Sequence, residues 1–414
     1  MRARSHQYPD DENFTDTTYF HQEEKYLDVG YQRLKLFIPS LYPQLSLIKK
    51  LFIDHNNLST LPDPKYLPNL EELTCSTNNL TSIPYYPKLI FLNISNNRIK
   101  DCSAYHGSNI EYFDCSHNPG FQLNFMLPKC KQLYINDTNL ISINLNLVPD
   151  LNILDCGNNK LTHISGGNKL IEINIQSNMI KELPPWPKLV RLMADYNCIQ
   201  HLPTYPQLRT VFISHNRLIK ISDQPSLQKI IANNNFITMI GKMPKLELVD
   251  FSHNKLSHFT IPEKVQYASI QFNPITKLDF NRANLVNIKE LQVSFKAYKY
   301  IYTNYYEYFK AVSVQVNGKK LEDMLLKLDK VFDESSIRSI FRSFSMTKFK
   351  NRADMLFKLT MRLFYKFFLP FMDGKKMTKI EDIIQTKEFK YLLNNITKLY
   401  YKTIVITLYF KEYC

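Results

Sequence analysis

Apolar residues recur at fixed places along most of the chain, at positions 1, 4, 6 and 11 of a unit that repeats every 19 to 22 residues. The alternation at positions 4 and 6 predicts a short strand in every unit. A unit this short cannot bury its apolar face alone, so the pattern predicts a stack in which each unit packs on its neighbours. Twelve units begin at Ile48, Leu70, Leu89, Ile110, Cys130, Leu151, Leu170, Leu189, Leu208, Leu227, Leu246 and Val265.

Position 9 is asparagine in eleven of these twelve units. The chain leaves the strand here, so its backbone N–H and C=O groups lose their partners in the sheet. An amide side chain carries both donors and acceptors and can satisfy them. We therefore predict a structural asparagine ladder, in which Thr138 is a weaker rung. The ladder residues are Asn56, Asn78, Asn97, Asn118, Asn159, Asn178, Asn197, Asn216, Asn235, Asn254 and Asn273.

The remainder of each unit is short and rich in proline, as at Pro184, Pro187, Pro203 and Pro206. Proline removes a backbone donor and fixes φ, which favours an extended or 3₁₀ backbone over an α-helix. The predicted fold class is an α/β repeat solenoid. Its short parallel strands form the concave face, and its convex side is mostly extended or 3₁₀.

Departures from the repeat predict the domain boundaries. Residues 1–27 are polar and lack the apolar stretch of a signal peptide, which predicts a flexible tail. The repeat domain covers residues 48–284, between an N-terminal cap at 28–47 and a strand-bearing C-terminal cap at 285–300. Caps are expected because the ends of a stack would otherwise expose its apolar interior.

Residues 301–414 change to helical spacing, with Leu321, Leu325 and Leu328 on one face of a helix predicted over 319–332. Much of the net charge of +14 falls here, so we predict a basic, mainly helical region. Its segment 350–368 could form a basic amphipathic helix that binds an anionic membrane surface or nucleic acid. The alternative is a helix whose apolar stripe packs in a core while its lysines face solvent. No apolar run is long enough to predict a transmembrane helix.

Units such as LVRLMADYNCIQHLPTYPQ, residues 189–207, resemble the short-repeat class of leucine-rich repeat proteins. Similar repeats occur in bacterial type III secreted effectors and in proteins of large DNA viruses of amoebae. The Asn-, Ile- and Lys-rich composition, with 9 glycines in 414 residues, favours the viral comparison. The resemblance implies a binding scaffold and names no partner. Some of these effectors add a ubiquitin-ligase domain with a C-x-D motif after the repeats. In this sequence the only cysteine after Cys198 is Cys414, the last residue, and it is not part of such a motif, so we do not expect a ligase domain of this kind.

The predicted concave face is formed by positions 2, 3, 5 and 7. It carries aromatic and arginine side chains, the types enriched at interface hot spots, together with carboxylates such as Asp114 and Asp155. The alternative is that these side chains only pack on their lateral neighbours in the sheet. The candidate binding residues are Phe52, Phe91, Tyr112, Tyr134, Arg191, Arg209, Phe212 and Tyr267.

The sequence offers little for catalysis or metal binding. His215 and His253 share position 8 but lie two units apart, about 10 Å along the stack, too far to share a metal ion. Most cysteines fall at inward positions, with Cys198 the most accessible, which predicts reduced thiols and a cytoplasmic protein. No catalytic motif or phosphate-binding loop is present, so we predict a non-enzymatic protein without a cofactor.

Two functions are compatible with the sequence. The first is a scaffold that binds a protein partner of unknown identity on the concave face. In the second, the basic C-terminal region binds a membrane surface or nucleic acid, and the repeats act as a spacer.

Overall fold

The computed structural model describes residues 25–280 and 287–293, together with the backbone of three short strands, Phe20–His21, Ser313–Val316 and Lys319–Lys320. The chain divides into two units, Met1–Val316 and Asn317–Cys414. The helices predicted beyond residue 320, including the segment 350–368, lie outside the described residues. Across the part of the chain that is described, no helix is long and apolar enough to cross a membrane.

The first unit is built on one sheet, to which each repeat contributes a strand of three or four residues. Neighbouring repeats pair in parallel without a register shift, so that Val211 lies beside Ile230 and Leu192 beside Val211. The parallel strands are Tyr26–Asp28, Lys50–Phe52, Glu72–Thr74, Phe91–Asn93, Tyr112–Asp114, Gln132–Tyr134, Ile153–Asp155, Glu172–Asn174, Arg191–Met193, Thr210–Phe212, Lys229–Ile231, Leu248–Asp250, Tyr267–Ser269, Glu290–Val293 and Ser313–Val316.

The core is a continuous column of apolar side chains behind this sheet. The middle residue of each three-residue strand points into it, and apolar residues at positions 1, 6 and 11 join it, as do Leu208, Ile213 and Leu218 in one repeat. Side chains at equal positions stack because the strands are in register. Each repeat therefore buries its apolar face against the repeats on either side, as the spacing predicted.

The side opposite the sheet contains 3₁₀ helices and short strands, and the described residues include no α-helix. This agrees with the extended or 3₁₀ backbone that the prolines predicted. The 3₁₀ helices are Pro39–Leu41, Leu45–Leu47, Pro64–Tyr66, Ser103–Tyr105 and Leu145–Leu147. The strands form three small parallel sheets: Ile143–Asn144 with Ile164–Ser165; His201–Leu202, Lys220–Ile221 and Met239–Ile240; and His258–Ile261 with Lys277–Phe280.

A second set of buried polar side chains connects the repeats on this side, and we call it the outer ladder. The hydroxyl of Tyr205 donates to the Pro184 carbonyl at 2.8 Å, and Trp186 Nε1 donates to the Gly166 carbonyl at 3.1 Å. Burial raises the pKa of the Tyr205 phenol, so it stays a neutral donor. The outer ladder, which we did not predict, consists of Tyr86, Tyr105, Trp186, Tyr205 and Gln224.

The N-terminal boundary differs from the prediction of a flexible tail through residue 27. Tyr26–Asp28 pairs in parallel with Lys50–Phe52, and Leu27 is buried. Phe20–His21 then pairs antiparallel with Tyr26–Asp28 at this end of the sheet. Residues 26–34 are therefore part of a further repeat, in which Gln32 stands in place of the ladder asparagine.

The C-terminal boundary also differs. Glu290–Val293 lies in the predicted cap, pairs with Tyr267–Ser269 and buries Leu291 and Val293. The sheet then continues to Ser313–Val316, inside the region predicted as mainly helical. Described by itself, Lys319–Lys320 of the second unit is a strand, so the helix predicted over 319–332 does not begin at residue 319.

Five of the cysteines among the described residues are buried in the first unit, and Cys198 is partly buried. Cys75, Cys115 and Cys156 occupy position 6, where they pack as small core residues. Burial raises the pKa of each of these three thiols.

Candidate functional site

The first and third residues of each three-residue strand, positions 3 and 5, point away from the core and form a surface that we call the sheet face. Most strands show the same alternation, with a buried middle residue between two partly exposed ones. Seven of the eight candidate residues occupy these two positions. Arg209 is the exception, since it directly precedes Thr210–Phe212 and its side chain is exposed.

Three candidate residues come together on the sheet face, and we call Phe91, Tyr112 and Tyr134 the aromatic cluster. The rings of Phe91 and Tyr112 stack with centroids 4.0 Å apart and planes at 7°. Tyr112 contacts Tyr134 at 5.3 Å between ring centroids. All three side chains remain partly exposed, so they pack laterally and still present aromatic surface to solvent.

The other five candidates lie apart from this cluster. Arg191 Nε lies 3.5 Å from a carboxylate oxygen of Glu172. Two rings lie beneath lysines of the next repeat: Lys229 Nζ is 4.9 Å from the centroid of Phe212, and Lys289 Nζ is 5.8 Å from that of Tyr267. The remaining two are Phe52, which contacts Tyr26, and Arg209.

Two aspartates lie on either side of Tyr134 at position 5 of the neighbouring strands. The register places Tyr134 beside Asp114 on one side and Asp155 on the other. Burial raises the pKa of the Asp114 carboxyl. Burial, and then the charge of Asp114, raise the pKa of the Tyr112 phenol to about 12, so this ring stays neutral over the physiological range.

The ladder asparagines tie each repeat to the one before it. Asn216 Nδ2 donates to the carbonyls of Ala194 at 2.8 Å and Ser214 at 3.1 Å, and its Oδ1 accepts from the Ile199 N–H at 3.0 Å. The corresponding contacts recur at the other asparagines. Thr138 instead bonds through its hydroxyl to the Ile135 carbonyl of its own repeat and to Asn159 of the next.

The residue at position 8 has a left-handed backbone conformation in each of the twelve repeats that begin between Ile48 and Val265, with φ between 51° and 56°. This conformation follows each strand and is unusual for residues with a side chain. Residue type does not reveal this conformation, because it varies from repeat to repeat. The twelve residues are His55, Thr77, Asn96, His117, Asp137, Asn158, Ser177, Tyr196, His215, Asn234, His253 and Phe272.

Several position-8 histidines stack on the aromatic residue at the same position of a neighbouring repeat. His215 stacks on Tyr196 at 4.4 Å, and His253 stacks on Phe272 at 4.2 Å between ring centroids. His55 stacks on Tyr31. Among the described residues, no group of three or more His, Cys, Asp or Glu side chains could hold a metal ion.

Replacing Thr77 by Asn is expected to raise the free energy of unfolding by about 1 kcal/mol, because β-branched residues disfavour the left-handed region and Asn tolerates it. Thr77 has φ of 54°, and Asn already occupies this turn in the next repeat, at Asn96. Urea denaturation followed by circular dichroism measures the change.

The control is Thr81→Asn in the same repeat, at an exposed residue without a positive φ. We expect it to change the free energy of unfolding by less than about 0.5 kcal/mol. Equal effects of the two variants would contradict a role for the backbone conformation.

The in-register stack of strands, the buried asparagine ladder and the apolar core define a leucine-rich repeat solenoid. The chain is 46% identical over 420 residues to a leucine-rich repeat protein of Acanthamoeba polyphaga mimivirus, and the match covers 100% of both chains. It therefore belongs to the leucine-rich repeat protein family. Human lumican is 30% identical over 167 residues, which cover 35% of this chain and 47% of lumican. No protein-family model matches the chain.

Solved structures share the fold at lower sequence identity. YopM from Yersinia enterocolitica superposes with a TM-score of 0.57 and 23% identity over 66% of this chain, which spans 60% of the length of YopM. The leucine-rich repeat domain of APL1 gives a TM-score of 0.51 and 21% identity over 68% of this chain and 77% of that domain. These likenesses show the solenoid of stacked parallel strands.

Proposed function

We propose that this protein is a non-enzymatic scaffold that binds a protein partner on its sheet face, the surface predicted to be the concave face of the solenoid. The observation that carries the proposal is the aromatic cluster, Phe91, Tyr112 and Tyr134, which presents partly exposed rings on a sheet of in-register strands. Aromatic side chains held by their neighbours lose little conformational entropy on binding, and they dominate interface energetics. Membership of a repeat family with extended binding surfaces supports the same function.

The test is capture of partners by the immobilised full chain from an Acanthamoeba lysate, compared with the double variant Tyr112→Ala, Tyr134→Ala. Loss of two interface aromatics is expected to lower capture of a specific partner by about tenfold or more. Quantitative mass spectrometry of the bound fraction measures it.

The matched control is Ile219→Ala, Phe236→Ala, which removes two exposed apolar side chains away from the sheet face. This variant is expected to retain the partner. Circular dichroism shows whether both variants remain folded. Capture that survives the tyrosine variant and falls with the control variant would place the binding surface elsewhere.

A further inference from the structure

We infer that the aromatic cluster and its two aspartates form a recognition site for a cationic side chain, above all arginine, on a basic segment of a protein partner. This inference rests on the proposed function, because it assigns the chemistry of the partner to the same face. Three features of the sheet face support it: the local charge, the position of Tyr134, and the rings elsewhere that already carry a cation.

The first feature is the local charge, which is opposite to that of the whole chain. The protein carries a net charge of +14. Positions 2, 3 and 5 of the four repeats from Ile110 to Asn174 nevertheless contain four acids and one lysine. These charged residues are Glu111, Asp114, Asp155, Glu172 and Lys131.

Pairing leaves two of these acids without a cation. Lys131 Nζ lies 2.7 Å from Glu111, and Arg191 Nε lies 3.5 Å from Glu172. Within the described residues, neither Asp114 nor Asp155 forms an ion pair. Each instead accepts a backbone N–H two residues along the chain at 3.0 Å, at Ser116 and Gly157 respectively. These bonds hold each carboxylate at the sheet face, and no lysine or arginine of the described residues pairs with either one.

The second feature is the ring between these two carboxylates. Tyr134 pairs with Asp114 on one side and Asp155 on the other, so each carboxylate is one strand away, about 4.8 Å at the backbone. A cation within about 6 Å of an aromatic centroid is attracted by the ring. A guanidinium above Tyr134 would meet the ring and both carboxylates at once. Arginine suits this arrangement better than lysine, because its planar guanidinium stacks on aromatic rings and can donate two parallel hydrogen bonds to a carboxylate.

The third feature is that lysines of this chain lie above two other aromatic rings on the same face. Lys229 lies over Phe212, and Lys289 lies over Tyr267. Among the described residues, no lysine or arginine of this chain lies over Tyr112 or Tyr134. The aromatic cluster therefore shares a face on which rings bind cations, and no cation from the described residues covers it.

The test titrates the full chain into a fluorescein-labelled peptide in which four arginines alternate with serine and glycine. A second peptide carries citrulline, the neutral analogue, at the same places. Because ring and carboxylate contacts both require the charge, the arginine peptide is expected to bind at least about tenfold more tightly by fluorescence anisotropy. Its affinity is expected to fall as salt concentration rises.

Charge-neutralising variants assign the binding to this site. Asp114→Asn with Asp155→Asn keeps the side-chain shape and the oxygen that accepts each backbone N–H, and it is expected to weaken binding of the arginine peptide by about tenfold. Asp250→Asn is the matched control, another position-5 aspartate on the sheet face, bonded to Asn233 and remote from the cluster. It is expected to leave the affinity unchanged. Tyr134→Phe should retain binding, and Tyr134→Leu should lose it.

Three results would overturn the inference: no binding of the arginine peptide, equal binding of the citrulline peptide, or equal effects of the Asp114/Asp155 variant and the Asp250 control. A native partner that is lost with Tyr112→Ala, Tyr134→Ala and kept by Asp114→Asn, Asp155→Asn would sink the inference and leave the proposed function standing. A native partner kept by the tyrosine variant would instead contradict the proposed function.

Discussion

Replacing Asn78 by Ala is expected to lower the free energy of unfolding by about 3 kcal/mol, because buried backbone groups that lose their partner cost about 1–3 kcal/mol each. Asn78 Nδ2 donates to the carbonyls of Ile53 at 3.0 Å and Cys75 at 3.1 Å, and its Oδ1 accepts from the Leu58 N–H at 3.0 Å. Alanine makes none of these bonds. Equilibrium urea denaturation measures the loss, and hydrogen exchange at the Leu58 amide reports it locally.

The neighbouring Asn79 supplies the control. Its side chain is exposed, and Asn79→Ala is expected to change the free energy of unfolding by less than about 0.5 kcal/mol. The two variants remove the same chemical group one residue apart, so any difference reports burial and bonding. A similar loss in both, or unchanged exchange at Leu58 in Asn78→Ala, would contradict the role assigned to the ladder.

Trp186→Ala is expected to destabilise the protein by about 3–5 kcal/mol, the range for removing a large buried aromatic side chain. Trp186 is fully buried, stacks on Tyr205 with centroids 6.2 Å apart and donates to the Gly166 carbonyl. Its removal leaves both a cavity and an unpaired carbonyl. Far-UV circular dichroism in urea is the measurement, since Trp186 is the single tryptophan of the chain.

Two further variants separate these contributions. Trp186→Phe retains most of the ring and loses the N–H donor, so it is expected to cost clearly less than Trp186→Ala. Phe236→Ala removes an exposed ring and is expected to stay within about 0.5 kcal/mol of the wild type. Equal losses for Trp186→Ala and Phe236→Ala would show that the outer ladder adds little to stability.

The sheet and its core could be predicted from the sequence because both depend on a pattern that recurs in chemically similar residues. Leu208, Val211 and Ile213 are interchangeable with their equivalents in other repeats, so the alternation is visible in every unit. The sequence predicts a cap over residues 28–47 in place of a regular first repeat that begins earlier, because Gln32 replaces the asparagine that marks the pattern. The Asn-Gly dipeptide at 317–318, a strong turn signal, was the cue against a helix starting at residue 319.

The outer ladder and the left-handed turn could not be recognised from residue type, because each depends on a backbone position that several side chains fill. The outer ladder combines Tyr, Trp and Gln, although all five of its members stand at position 17. The turn accepts residues as different as Asn96, Thr77 and Phe272. On the sheet face, the sequence predicted which side chains point outward. Their grouping followed only from the register, which brings Phe91, Tyr112 and Tyr134 into contact.

The buried thiols can report where the stack of repeats opens locally. A thiol reacts with alkylating reagents as the thiolate, and burial holds Cys75, Cys115 and Cys156 in the protonated form inside three different repeats. Each becomes reactive only when its own repeat separates from its neighbours. The rate at which each cysteine is alkylated in the native protein therefore measures local stability along the solenoid, repeat by repeat, without any engineered label.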